Sequence, residues 1–197
     1  MYTTRLNLLR YLNNQRITHA CEVGVFRGHY SRAILNNIHS LEVLYLVDLW
    51  EHQENYKDYA NVSNEQFKNY LEETKKVTAP WEDKVKILKG HSTDMSKQIE
   101  DSSLDWCYID ARHDYKGCSE DILAYWPKVK DGGWLSGHDY LDADQVDKIT
   151  PNQDWSICYD GTVDRRAVKG AVDEFAKSVS RNVFVGTEVW PTWTIQK

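Results

Sequence analysis

The chain has 197 residues, of which 41% are hydrophobic and 27% charged, and its formal net charge is −6. The length and composition are typical of one soluble globular domain. The negative net charge excludes an overall electrostatic attraction to nucleic acid or anionic membranes. No apolar run approaches the roughly 20 residues that span a bilayer, and residues 1–19 lack the apolar core of a signal peptide. The four cysteines form no CxxC pair, which favours a reducing, cytoplasmic location over a zinc site or a disulfide framework.

Hydrophobic runs predict helices and strands that alternate along the chain. An N-terminal helix is expected within residues 1–17. The predicted strands are 20–25, 43–47, 85–88, 104–109 and 134–136, with two short strands around Trp190. The predicted helices are 31–35, 64–76, 117–126 and 168–176. Such alternation is typical of a doubly wound α/β domain with a parallel sheet covered on both faces, so we predict one such domain over residues 1–197.

Two polar and aromatic segments interrupt this alternation, residues 50–63 and residues 140–165. We predict that both are loops that cover a substrate, and we call them the first and second lid segments. Their aromatic side chains are suited to an acceptor with an apolar face, although core packing is the alternative for each ring. The aromatic residues concerned are Trp50, Tyr56, Tyr59, Tyr140, Trp155 and Tyr159.

Carboxylates and histidines follow most of the predicted strands, at the sheet edge where α/β proteins bind ligands. After the first strand, Gly24 and Gly28 allow a tight turn and a close approach to a ligand, and a helix containing Ser31 follows. Asp48 ends the second strand about 20 residues later, where an acid can accept hydrogen bonds from ribose hydroxyls. A G-x-G-x-x-G run is absent, which disfavours a dinucleotide-binding dehydrogenase.

Three motifs carry a resemblance to a known family. The E-x-G-x-x-x-G run that begins at Glu22 resembles motif I of the class I methyltransferases, which use S-adenosylmethionine. The runs D-x-x-x-I-D-x-x-H-x-Y at 105–115 and G-G-x-x-x-x-H-D-Y at 132–140 are similar to signatures of macrolide-sugar and aminocoumarin-sugar O-methyltransferases. The ending at 190–195 resembles their last antiparallel strand.

The resemblance implies a Rossmann-like, mostly parallel seven-stranded sheet with an antiparallel C-terminal strand. It also implies that Glu22 lies beside the cationic methionyl part of the cofactor, that Ser92 lies near the adenine ring, and that Asp110 contacts the cofactor. A surface turn is the alternative at Ser92.

Methylation of a hydroxyl group requires a general base or a metal ion that lowers the pKa of the hydroxyl. Asp110 and Asp139 end neighbouring strands and are predicted to hold a divalent cation such as Mg²⁺. His138 stands where the resembling enzymes carry an acid; it is expected to join the metal site and shift its preference toward Mn²⁺, or else no metal binds.

His113 is the preferred general base, because the ordinary histidine pKa of about 6.5 suits proton abstraction. His138 is the second choice. Some related enzymes carry an acidic base where this chain has Arg112, which cannot accept a proton. Capping of the following helix, or a hydrogen bond to a backbone carbonyl, is the structural alternative for His113.

The function predicted from these residues is methylation of a hydroxyl on a small polar acceptor, above all a sugar or glycan. A catechol or another small molecule is the alternative acceptor. A non-catalytic or NAD-binding Rossmann-like domain is the alternative class, and assembly into a homo-oligomer is left open.

Overall fold

The computed structural model describes residues 3–197, in which seven strands form one mixed sheet. The strands follow the order β3-β2-β1-β4-β5-β7-β6. Strands β1 to β5 are parallel, and β7 is antiparallel to both β5 and β6. The strand bounds are β1 His19–Val23, β2 Val43–Asp48, β3 Val85–Lys89, β4 Leu104–Ile109, β5 Val129–Gly137, β6 Phe184–Val185 and β7 Trp193–Gln196. This topology confirms the predicted Rossmann-like α/β fold with an antiparallel C-terminal strand.

Seven α-helices accompany the sheet in the described part of the chain. Several begin at a side-chain cap: Asp114 accepts the N–H of Gly117, and Ser63 forms a capping box with Gln66. The helix bounds are α1 Arg5–Asn13, α2 His29–Asn37, α3 Asn64–Thr78, α4 Ser92–Met95, α5 Tyr115–Tyr125, α6 Ala143–Ile149 and α7 Ala167–Ser178.

The two faces of the sheet pack against separate apolar cores. Alternate residues of β4 point to opposite sides, so Cys107 packs with α5 and α7 while Trp106 packs with α1 and α2. Burial of both faces explains why β1 and β4 consist almost entirely of buried residues.

The structure differs from the sequence prediction in several details, among them the unpredicted short helix α4. The N-terminal helix covers Arg5–Asn13, and residues 1 and 2 of the predicted range lie outside the described residues. Strand β5 is longer than predicted because its first half pairs with β4 through an irregular register. Helix α6 lies within the second lid segment, which we expected to be irregular; its D-x-x-Q capping box at Asp142 and Gln145 is the signal that was missed.

The two lid segments contact each other above the carboxyl ends of the strands. Lys57 and Asp154 form an antiparallel bridge, and the Asn55 side-chain amide donates to the carbonyl of Tyr159. Arg112 anchors the first lid segment, since its guanidinium donates to the carbonyls of Glu54 and Asn55. Among residues 3–197, no helix combines the length and apolarity needed to cross a membrane.

Candidate active site

A glycine follows β1 directly and shapes the turn at the sheet edge. Gly24 has a φ of +91°, and a Cβ atom there would lie 1.9 Å from the carbonyl oxygen of Asp110. Only glycine therefore allows the turn after β1 to approach the end of β4 so closely. Gly28, with a φ of +72°, then directs the chain into α2.

A cavity crosses the ends of β1, β2 and β4. It brings together four of the residues predicted to bind the cofactor, namely Gly24, Asp48, Ser92 and Asp110. Asp121 on α5 also lines it, and the sequence analysis did not identify this residue. The hydroxyl of Ser92 donates to the Asp121 carboxyl, and burial raises the pKa of that carboxyl to about 7.

Asp48 organises the glycine turn. Its Oδ2 accepts the backbone N–H groups of Val25 and Phe26, each at 2.8 Å, and its Oδ1 accepts the N–H of Trp50 at 2.7 Å. Burial raises the pKa of this carboxyl, while these hydrogen bonds favour its ionised form. The side chain is thus held at the cavity wall by three backbone donors, unlike a solvated loop aspartate.

Glu22 and Ser31 form a buried pair on the other side of the turn. Glu22 is 1% exposed, and its carboxyl accepts the hydroxyl of Ser31. Burial raises the pKa of Glu22 to about 8. Because the ionised form of a buried acid is stabilised by a nearby positive charge, a cationic ligand group bound here would lower this pKa.

Two carboxylates and an imidazole converge where β4 and β5 end. One ligand atom from each of Asp110, His113 and Asp139 lies within 4.8 Å of the others. The Nε2 atom of His113 is 3.5 Å from Asp110 Oδ1 and 3.2 Å from Asp139 Oδ2. Among the described residues, this buried Nε2 atom makes no hydrogen bond of acceptable geometry. Asp139 reaches the cluster with a φ of +61°, a left-handed conformation that often marks functional positions.

The other ring nitrogen of His113 faces the first lid segment. Nδ1 lies 3.1 Å from Asp58 Oδ2 and 3.0 Å from the Tyr56 hydroxyl. Burial lowers the pKa of His113, but the surrounding carboxylates of Asp110, Asp58 and Asp139 outweigh it and raise the pKa well above the ordinary value. The expectation of an ordinary histidine pKa was therefore wrong, because the sequence does not show that carboxylates surround this ring. The helix-capping alternative is also wrong, since Asp114 caps α5.

His138 lies beside the same carboxylates in a different orientation. Its Nδ1 is 2.8 Å from Asp139 Oδ1 and 4.0 Å from Asp110 Oδ2. Burial lowers the pKa of His138, but the charges of Asp110 and Asp139 outweigh this effect and raise it. The cluster with metal-ligand spacing thus contains His113, whereas His138 contacts it from the side.

A second cavity adjoins the first, and Asp110 lines both. His113, His138, Asp139 and Glu22 also line this second cavity. Its aromatic wall includes Tyr30, Tyr59, Trp155 and Trp190. Arg5 of α1 reaches the same cavity, where its Nη1 lies 3.8 Å from Asp110 Oδ2, a contact that could not be predicted from the sequence.

The aromatic residues of the lid segments have different positions. Tyr59 and Trp155 line the second cavity, and Tyr159 lines the first. Trp50 is only 1% exposed and donates its indole N–H to the carbonyl of Phe26, so it belongs to the core. Tyr140 donates its hydroxyl to Asp173. Trp190, which we assigned only to the last strands, belongs to the cavity wall.

Comparison with known proteins identifies the type of domain. Residues 21–140 match a family model described as "Methyltransferase domain". The match covers 120 of the 197 residues, from β1 to the end of the motif that contains Asp139. None of the curated proteins matches the sequence significantly.

Solved structures with the same fold include three methyltransferases. A candidate caffeoyl-CoA O-methyltransferase from Staphylococcus aureus has a TM-score of 0.68 and 15% identity, over 98% of this chain and 82% of the other. An O-methyltransferase from Bacillus cereus, in complex with S-adenosylhomocysteine, has a TM-score of 0.62 and 14% identity, over 96% of this chain and 79% of the other. The O-methyltransferase TomG from Streptomyces achromogenes, in complex with S-adenosylmethionine, has a TM-score of 0.60 and 14% identity, over 95% of this chain and 76% of the other. At these identities the likeness concerns the fold.

Proposed function

The chain belongs to the class I methyltransferases, through the methyltransferase-domain family that its residues 21–140 match, and we propose that it transfers the methyl group of S-adenosylmethionine to a hydroxyl group of a sugar. One observation carries this proposal: Asp110 lies on the wall shared by the two cavities, within a cluster of carboxylates and histidines. A methyl donor in the first cavity and an acceptor in the second would meet at this wall.

The first cavity suits S-adenosylmethionine. Asp48 and Ser92 line this cavity and are the residues that we propose as partners of the ribose and the adenine ring. Glu22 lines the adjoining second cavity and is a buried acid that a sulfonium or ammonium group would ionise. Two of the structural neighbours were solved with S-adenosylmethionine or S-adenosylhomocysteine, which supports the same ligand here.

The cluster of Asp110, His113 and Asp139 fits a divalent cation. Two carboxylate oxygens and one imidazole nitrogen are ligands that Mn²⁺ accepts readily, and Mg²⁺ less so because of the imidazole. The buried Nε2 atom of His113, which lacks a hydrogen bond in the described structure, is the donor that such an ion would satisfy. When bound, the cation would lower the pKa of a coordinated acceptor hydroxyl.

His138 is the residue we assign as proton acceptor. Its Nδ1 atom lies against Asp139, so a proton on Nδ1 leaves Nε2 with a lone pair in the cavity that receives the acceptor. The acceptor oxygen forms its bond to the methyl carbon as the carbon–sulfur bond breaks, and the hydroxyl proton passes to Nε2 of His138. His113 instead serves as a ligand, which exchanges the roles that the sequence favoured for the two histidines.

The wall of the second cavity favours a carbohydrate. Tyr59, Trp155 and Trp190 offer faces on which the apolar side of a sugar ring can stack, while Arg5 and the carboxylate cluster offer partners for hydroxyl groups. A catechol could stack on the same rings and is the competing acceptor.

Methyl transfer to defined acceptors tests this proposal. The protein is incubated with S-adenosylmethionine, Mn²⁺ and panels of free sugars, nucleotide sugars and catechols, and products are analysed by mass spectrometry and NMR. We expect an O-methyl sugar. Methylation of catechols alone would exclude a sugar as the acceptor. Methylation of an amine or a thiol alone would contradict O-methylation.

Tyr59 provides a test of the acceptor cavity, because its side chain is 75% exposed and its removal leaves the core unchanged. Loss of one stacking contact of about 1 kcal/mol should raise the acceptor KM in Tyr59→Ala about fivefold, with kcat nearly unchanged. The control Tyr59→Phe keeps the ring and should behave as the unaltered protein. Equal KM values for all three proteins would exclude Tyr59 from acceptor binding.

Asp48 provides a test of ribose recognition. Asp48→Ala should weaken binding of S-adenosylhomocysteine by roughly 1–3 kcal/mol. Because Asp48 also fixes the glycine turn, adenosine and 2′-deoxyadenosine must be compared: the unaltered protein should prefer adenosine, and the variant should lose that preference. A preference that survives the substitution would limit Asp48 to organising the turn.

A further inference from the structure

Asp58, a buried carboxylate of the first lid segment, contacts the ring nitrogen of His113 that faces away from Asp110 and Asp139. The side chain of Asp58 is 0% exposed. Its Oδ2 accepts the indole N–H of Trp155 at 2.8 Å and lies 3.1 Å from His113 Nδ1, and its Oδ1 accepts the N–H of Ala60 at 2.8 Å. Because indole and backbone N–H groups can only donate, both carboxylate oxygens of Asp58 act as hydrogen-bond acceptors. Asp58 thereby connects the cluster to the second lid segment.

The contacts of Asp58 decide which nitrogen of His113 faces the cluster. Oδ2 of Asp58 acts as an acceptor toward Trp155, so Nδ1 of His113, 3.1 Å from the same oxygen, is the donor that carries a proton directed at Asp58. The Tyr56 hydroxyl, which also lies near Nδ1, donates to the carbonyl of Ala111. A neutral His113 ring therefore presents the lone pair of Nε2 toward Asp110 and Asp139. Carboxylates that orient metal-binding histidines in this way also strengthen metal binding.

The same carboxylate connects the lid segments to the cluster. Trp155, which donates to Asp58, also stacks on His113 with ring centroids 4.3 Å apart. One residue away, the N–H of Asp154 donates to the carbonyl of Lys57 at 2.9 Å, so the two lid segments are joined beside Asp58. A change in the position of the His113 ring is thereby transmitted to both lid segments.

We propose that Asp58 is a positioning residue of the metal site, which holds His113 Nε2 ready for a divalent cation and couples cation binding to the order of the two lid segments. This inference rests on the metal site of the proposed function. The coupling is reciprocal, because a cation that favours the bonded arrangement of Asp58, His113 and Trp155 is bound more tightly when the lid segments are in place.

The affinity for Mn²⁺ tests the positioning role without any turnover measurement. Free Mn²⁺ is followed by electron paramagnetic resonance during titration of the protein without S-adenosylmethionine. Asp58→Asn should weaken Mn²⁺ binding about 10- to 100-fold. The control Glu54→Gln removes one negative charge from an exposed side chain of the same lid segment and should leave the affinity unchanged. An affinity of Asp58→Asn equal to that of the unaltered protein would overturn the inference.

Amide hydrogen exchange of the unaltered protein tests the coupling and does not depend on the folding of any variant. Addition of Mn²⁺ should slow exchange in residues 50–63 and 150–160 relative to α7, which lies away from the cluster. Lid exchange that is unchanged at saturating Mn²⁺ would overturn the coupling. If the unaltered protein bound no Mn²⁺ at all, the metal site of the proposed function would also be excluded. Failure of the proposed metal site is therefore distinguishable from failure of the role of Asp58 alone.

Discussion

Replacement of His138 by alanine should lower kcat by about 10²- to 10⁴-fold, the usual effect of losing a general base. Affinities for Mn²⁺ and S-adenosylhomocysteine should barely change, because His138 lies beside the cluster of Asp110, His113 and Asp139 and outside the first cavity. Single-turnover kinetics with saturating cofactor and acceptor measure the chemical step. A variant with an unchanged rate would exclude His138 as the proton acceptor.

The matched variant His113→Ala distinguishes the role of a metal ligand from the role of a general base. It should also lose turnover, but through lost Mn²⁺ binding, since Nε2 of His113 is one of three ligand atoms within 4.8 Å of one another. High Mn²⁺ concentration should then restore part of the rate in His113→Ala and none in His138→Ala. If His113→Ala bound Mn²⁺ normally and lost only the rate, the role of general base would return to His113, as the sequence first indicated.

Removal of divalent cations should abolish turnover, and Mn²⁺ or Mg²⁺ should restore it. Without a cation, burial lowers the pKa of His113, but the neighbouring carboxylates of Asp110 and Asp58 raise it well above its ordinary value and so favour the charged ring. The acceptor hydroxyl would then lack the ion that lowers its pKa. Dialysis against EDTA, followed by titration of each cation, measures the effect.

Asp139→Asn is the control for the chelation experiment. It should bind Mn²⁺ more weakly, so that its turnover is restored only at a higher Mn²⁺ concentration. Full activity after exhaustive chelation would leave no catalytic role for a metal, and the cluster would then act through its charges alone.

Much of the fold could be predicted because its signals are local. Apolar runs in β1 and β4 are buried on both faces, and the glycines at 24 and 28 mark the turn at the sheet edge. Since parallel strands end at one edge, and the family resemblance implied that these two strands are neighbours, Asp110 and Asp139 could be placed together. Helix α6 was missed although its capping box is also local.

The parts of the candidate site that could not be predicted depend on contacts between segments that are distant in sequence. Asp58 and Trp155 are 97 residues apart in sequence, and neither lies in a periodic element that would fix its direction. The exchange of roles that we propose for the two histidines rests on ring orientation, which depends on Asp58 for His113 and on Asp139 for His138. The sequence shows neither contact. Arg112 could be excluded as a base, but its role as anchor of the first lid segment required the structure.

Calorimetric titration with S-adenosylhomocysteine and with NAD tests the assignment of the cofactor cavity most directly. We expect saturable binding of S-adenosylhomocysteine and no binding of NAD, because we propose Glu22, Asp48 and Ser92 as partners of the methionyl, ribose and adenine groups and because the G-x-G-x-x-G turn is absent. Binding of NAD without binding of S-adenosylhomocysteine would contradict methyl transfer from S-adenosylmethionine.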